Sequence, residues 1–167
     1  MEKSGFFNSS DGDRVYDAAD FASYFGKLAS SGIFYAVATN LQVTAGSGMV
    51  VDVAAGSAWI NGYHYENTES LALPIATADG INPRIDRVVI RWSLVNREIK
   101  LAVLTGSAVP SPVVPALTRT ADTYELGIAD ILIPQGSAVV IGGNITDTRL
   151  DNDLCGLVNS LVSAVYE

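Results

Sequence analysis

The chain has 167 residues, 49% of them hydrophobic and 17% charged, with ten Lys and Arg against eighteen Asp and Glu for a net charge of −8. That length suits one domain with a single core, and the composition excludes a disordered chain. The acidic balance, without any Lys/Arg cluster, argues against nucleic acid as a partner, and the single cysteine, Cys155, excludes an internal disulfide and a cysteine zinc site.

The opening MEKSGFFNSSDGDR has no apolar stretch of the signal-peptide kind, and no run of the chain is long and apolar enough to span a membrane. The expectation is synthesis in a reducing cytosol without membrane insertion. The first predicted element is a helix over DAADFASYFGKLA. Phe21, Tyr24, Phe25 and Leu28 recur at helical spacing and predict the core-facing stripe. Asp17 is the candidate N-cap with Asp20 at the capping-box position, Tyr16 and Phe21 are placed to staple the cap, and Gly32 is the expected stop.

From Leu41 the period changes to 2. LQVTA and MVVDV flank GSG as a hairpin, and SAWI and YHYE flank Asn61-Gly62, a strong type I′ turn signal. LALPI, RIDRVVIRWSL and EIKLAVLTG follow, the last two joined by VNRE as a third hairpin. Val88-Val89 blurs the alternation of the longer strand. Pro110, Pro112 and Pro115 predict an extended connection. YELGIADILIP reads as a long strand and GSAVVIG as a shorter one. At the end, Leu154, Leu157 or Val158, Leu161 and Val165 fall at helical spacing, weakened by Gly156.

Helix, many short strands, then a helix predicts a mainly β protein: an antiparallel β-sandwich, or a barrel-like alternative, with an N-terminal α-helix and a short C-terminal helix. The expected division is an arm and helix over 1–34, the β-domain over 35–150, and a C-terminal helix or start of a stalk over 151–167.

Few residues suggest chemistry. His64 is the only histidine, with Glu66 two residues on and on the same strand face. A metal site or a general base needs more partners than that, so the ordinary reading is a solvent-facing strand residue after a turn. Asp11, Asp13 and Asp17 resemble the start of a calcium loop, but Ala22 stands where the closing glutamate belongs and Tyr16 where the glycine belongs, which leaves a turn and a helix cap. No nucleotide-binding glycine motif, G-x-S-x-G or H-E-x-x-H is present. The charges of RIDRVVIR and ITDTRLD predict ion pairs, with Asp86 or Asp147 against Arg87 or Arg149. No cofactor, metal site or catalytic residue is expected.

SGFFNS-x-DGDRVYDAADFASYF, GSAWINGYHYENT, RIDRVVIRWSL, YELGIADILIP and NITDTRLD…LCG, in that order, resemble the N-terminal domain of tail and baseplate proteins of long-tailed phages and prophages of Gram-positive bacteria. The resemblance spans nearly the whole chain. It implies a virion structural protein, an upper baseplate component or the shoulder of a receptor-binding protein, that is made in the bacterial cytoplasm and anchors a distal fibre or receptor-binding module. It implies other tail proteins as partners, assembly as a trimer, and continuation past the DTR…CG segment into a helical stalk within which Glu167 lies. Phe6, Phe7, Leu154, Leu157, Leu161 and Val165 are the candidate interface residues.

The alternative is a carbohydrate-binding module for host wall polysaccharide, with Trp59, Tyr63, Tyr65 and Trp92 stacking on sugar rings. Core packing is their ordinary role. A wall hydrolase is the weakest reading, because the histidine is isolated and no catalytic signature stands out. The expectation is a protein that is not an enzyme.

Overall fold

The computed structural model describes residues 2 and 4–162. These residues form one α-helix, α1 (Ala18–Phe25), and ten strands: β1 (Gly32–Ile33), β2 (Val43–Ala45), β3 (Val50–Val53), β4 (Gly56–Ile60), β5 (Tyr63–Asn67), β6 (Leu71–Pro74), β7 (Arg84–Ser93), β8 (Glu98–Leu104), β9 (Thr123–Ile133) and β10 (Ile145–Asp147). The chain is therefore mainly β. Its strands form three antiparallel sheets, ordered β1-β4-β5, β10-β9-β7-β8 and β2-β3-β6.

Local chemistry accounts for the turns. Asn61 (φ 51°) and Gly62 (φ 84°) supply the two left-handed positions of a type I′ turn, so Ile60 pairs with Tyr63 and the β4–β5 register follows. The GSG turn joins β2 to β3, with the Gly46 N–H closing on the Val50 carbonyl at 3.0 Å. The VNRE turn joins β7 to β8, with Arg97 taking the left-handed position at φ 55°. β6 returns to pair with β3, so the β4–β5 hairpin is an insertion between two neighbours of another sheet.

One apolar cluster draws on all three sheets. Ile33, Ala58 and Ile60 come from the first, Val88, Ile90, Leu126 and Ile131 from the second, and Val43, Val51 and Val53 from the third. The blurred phase of β7 has a structural cause. Both faces of β7 are covered, so Val88 and Val89 are each buried on opposite faces, while the register irregularity opposite them leaves Ile128 of β9 as the extra residue. Val88, Ile90 and Trp92 face the core. Arg87 and Arg91 lie on the other face, under the proline-rich connection.

Ion pairs pin that connection. Arg87 forms a two-pronged pair with Asp130, at 2.6 and 2.9 Å, and also donates to the Pro115 carbonyl at 3.1 Å. Glu125, almost wholly buried, accepts from Arg91 Nε and from the Thr118 N–H, each at 2.7 Å. Asp147 and Arg149 pair as the sequence suggested, at 2.6 Å. Asp86 pairs with Arg84, not Arg87, because residues two apart share a strand face. Arg149 also donates to the carbonyls of Ala38 (2.9 Å) and Asn40 (2.6 Å), which ties the chain before β2 to the strand end near β10. The guanidinium beside Asp147 holds its carboxyl below the usual carboxylate range.

Several expectations are corrected. The helix ends at Phe25, with Gly26 as its C-cap. Gly32 instead allows close approach: a Cβ there would lie 2.5 Å from the Leu157 carbonyl carbon. The predicted helical core stripe is largely outside, with Phe21, Tyr24, Phe25 and Leu28 all exposed to a third or more, and Ala22 is the buried residue. The reason is the Asn61-Gly62 turn, on which the helix backbone rests. A Cβ on Gly62 would come within 2.1 Å of the Ala22 carbonyl, so only small residues fit at the contact. GSAVVIG forms no strand. Val139 and Ile141 are exposed, while Val140 is buried and donates its N–H to the Gly48 carbonyl at 2.9 Å. β10, in the charged ITD segment, is the strand that pairs with β9 instead.

The C-terminal helix is not formed over residues 151–162. Asp151 caps a turn with its carboxylate on the Asp153 N–H (2.9 Å), and Gly156 takes a left-handed φ of 77° that breaks any helix. The segment runs extended beside β1. It bonds to β1 through the Ile33 N–H to the Gly156 carbonyl (3.0 Å) and its own Val158 N–H to the Ile33 carbonyl (3.0 Å), and its Leu161 N–H reaches the Leu28 carbonyl (2.9 Å). Cys155 lies in the core beneath, where burial pushes its thiol up to about 12, so it stays protonated at neutral pH.

Candidate functional site

The type I′ turn sets which groups of β5 are free. Ile60 and Tyr63 flank the turn and exchange backbone bonds, as do Ala58 and Tyr65 one pair further on. The N–H and C=O groups of His64 and Glu66 therefore point away from β4. β5 is an edge strand, so those groups face open space rather than another strand.

That edge forms one wall of an open cleft of about 820 Å³. The opposite wall is the end of the β7–β8 hairpin, with Ser93, Leu94, Arg97, Glu98 and Ile99, and the start of α1 closes a third side with Asp17, Ala18 and Ala19. Tyr63 and Trp92 meet in the cleft with ring centroids 5.6 Å apart and planes inclined by 43°. Tyr63 and Tyr65 are half-buried against the core, and burial raises the phenol of Tyr65 above its ordinary value.

Hydrogen-bonding capacity is unspent here, and Arg97 is the exception among arginines that otherwise have partners within the fold. Arg84, Arg87, Arg91 and Arg149 are in ion pairs within the fold, and Arg119 donates to the Leu154 carbonyl at 2.9 Å. Among the described residues, the side chains of Arg97, His64 and Glu66 and the hydroxyls of Tyr63 and Tyr65 have no hydrogen-bond partner, and all five residues line this cleft. Asp17 is occupied as the helix cap, accepting from Ala19 (2.9 Å) and Asp20 (3.1 Å), and Glu98 is paired with Lys100 at 2.6 Å.

Three of the four aromatic residues marked by the sequence thus converge, and Trp59 does not. Trp59 sits on the other face of β4, opposite His64 in register, with Phe25 of α1 edge-on at 5.9 Å. Arg97, Glu98 and Ile99 were missed, because only the tertiary fold brings the end of one hairpin to the edge of another. His64 is exposed and makes no bond to Glu66. Among the described residues no group of three or more His, Cys, Asp or Glu side chains is placed to hold a metal ion. The aspartates of the calcium-like segment are used locally, with Asp13 accepting from the Ser10 N–H at 2.7 Å and Asp17 capping α1.

A second feature lies on the far side of α1. The N-terminal arm folds back so that Phe6 stacks on Phe21 (5.4 Å) and meets Tyr24 edge-on (5.0 Å), with Tyr16 at 5.7 Å. Phe6 therefore fills the place expected for a direct Tyr16–Phe21 staple. The Phe7 N–H donates to the Tyr16 hydroxyl at 3.0 Å, and Arg14 lies over the Phe7 ring at 5.5 Å. Of the remaining interface candidates, Leu154 and Leu157 are half-buried, with Leu157 packed on the core, and Leu161 is exposed. Val165 lies outside the described residues.

The chain matches no protein-family model, no curated protein and no solved structure.

Proposed function

We propose that the chain is a structural module of a phage or prophage tail or baseplate, which anchors a distal receptor-binding or fibre module through protein–protein contacts. The observation that supports this reading is the aromatic patch around α1. Phe6 (47%), Phe7 (59%), Phe21 (44%), Tyr24 (47%) and Phe25 (40%) keep large parts of their surface in water on one side of the molecule. Contiguous apolar surface of this kind is stabilised when another protein covers it. The order of motifs along the chain supplies the tail context, a virion location and assembly as a trimer. The finer architecture, a β-sandwich with a barrel-like alternative, belongs to the same proposal and is supported by the single core that all three sheets share.

The double variant Phe6→Ser/Phe21→Ser tests the patch. Both residues are half exposed, so the urea midpoint should move by less than about 1 kcal/mol equivalent. The solution mass should fall to that of the monomer. A variant with unchanged mass and unchanged midpoint would remove the patch from the assembly surface.

The carbohydrate-binding reading is kept as the second one, because Tyr63, Tyr65 and Trp92 line a single cleft.

A further inference from the structure

We infer that the cleft between β5, the β7–β8 hairpin and the start of α1 is a binding site for a neutral oligosaccharide, with Tyr63 and Tyr65 as its platform and Arg97 as its principal hydrogen-bond donor. This deepens the carbohydrate-binding reading and rests on it; the cleft shares the start of α1 with the aromatic patch but none of the patch's aromatic residues.

The chemistry of the lining selects the ligand class. A sugar ring has an apolar C–H face and a rim of hydroxyls that donate and accept. The cleft offers the complement, with half-buried tyrosine rings beside polar groups that have no partner in the fold. Arg97 is a donor only, Glu66 is an acceptor, and the phenols of Tyr63 and Tyr65 and the imidazole of His64 do both. A purely apolar ligand would bury these groups without replacing their water, at a cost for each. The charge of the rim decides between neutral and acidic sugars. Glu98 and Lys100 cancel as an ion pair, which leaves Asp17 and Glu66 against Arg97 and a net negative rim. An anionic sugar would meet net repulsion. The volume, about 820 Å³, lies within the range of about 300–1,000 Å³ typical of ligand sites and suits more than one ring.

The edge of β5 offers a rival occupant, an extended peptide added as a further strand. Such a peptide would use the backbone of His64 and Glu66. It would leave Arg97 and the tyrosine hydroxyls without a required role, and their convergence favours the sugar.

The test is a titration of the whole chain, labelled with ¹⁵N, against neutral oligomers of glucose, galactose and N-acetylglucosamine. Oligogalacturonate and an extended peptide of alternating valine and lysine serve as comparisons. The expected result is saturable shifts of the Tyr65, Glu66, Arg97 and Ile99 amides with at least one neutral oligomer. Arg97→Asn, which tolerates the left-handed backbone, should weaken that affinity about tenfold, as loss of a charge-assisted hydrogen bond does. Tyr65→Phe should weaken it severalfold with the fold intact. Val113→Ser, at an exposed position outside the cleft, should leave it unchanged. The proposal is overturned if every neutral oligomer leaves these amides unmoved at millimolar concentration, or if Arg97→Asn binds as the parent does. It is equally overturned if oligogalacturonate binds more tightly than any neutral oligomer. Shifts produced by the peptide alone would assign the cleft to strand addition instead.

Discussion

Replacing Asp86 with alanine is expected to lower the unfolding free energy by about 3–5 kcal/mol, the usual cost of removing one member of a buried ion pair. Asp86 is fully buried, and Arg84, its partner, nearly so. Its carboxylate accepts from Arg84 Nε at 2.9 Å and from the Gly106 N–H at 2.9 Å. Arg84 also donates to the carbonyls of Thr77 (2.7 Å) and Ala76, which fastens the chain after β6 to the first residue of β7. Without Asp86 the guanidinium remains in the interior with no counter-charge, and the turn after β8 loses its anchor. Urea unfolding should show a lower midpoint with little change in slope. Asp86→Asn keeps an acceptor for Gly106 and should cost less than alanine. A midpoint for Asp86→Ala equal to that of the parent would mean that this pair holds nothing together.

Deleting residues 154–167 is expected to destabilise the β-domain itself, by on the order of 4 kcal/mol. The deletion removes the Leu154 carbonyl, which accepts from the Gly127 N–H of β9 at 2.9 Å. It removes the backbone partners of Ile33 and the bond from Ser30 to Asn159, also 2.9 Å. It uncovers Ile33, and it takes Cys155 and Leu157 off the core. The loss approaches the whole stability of many domains of this size. Thermal unfolding followed by circular dichroism checks it. A truncated chain that melts as the full chain does would return the segment to the role of a detachable stalk.

The helix cap and the hairpin turns were legible because their signals are local. Asp17 and Asp20 form the expected capping box, and Asn61-Gly62 needs only its own two residues to make its turn. The identity of the buried helix face was not legible. Phe21, Tyr24 and Phe25 have the stronger apolar pattern, yet the helix docks through Ala22 because the surface beneath it is the backbone of Gly62. At the C-terminus, helical spacing of Leu154, Leu157 and Leu161 was outweighed by the turn at Asp151 and by the left-handed Gly156. Asp86 chose Arg84 over Arg87 for a reason of strand parity, and Arg87 found Asp130, which lies 43 residues away in sequence.

The cleft was legible by halves. The aromatic residues of YHYE and Trp92 stood out in the sequence, but their grouping with Arg97 depends on where two hairpins end in space. Trp59 looked equivalent to its neighbours and is not, since its place opposite His64 in the register sends it to the face covered by α1.

Attachment through the aromatic patch is tested most directly by the solution mass of the unmodified chain. Light scattering across a concentration series should give a stable trimer, in which the patch around Phe6 and Phe21 is covered. A monomer at every concentration would contradict assembly of this chain through its own patch.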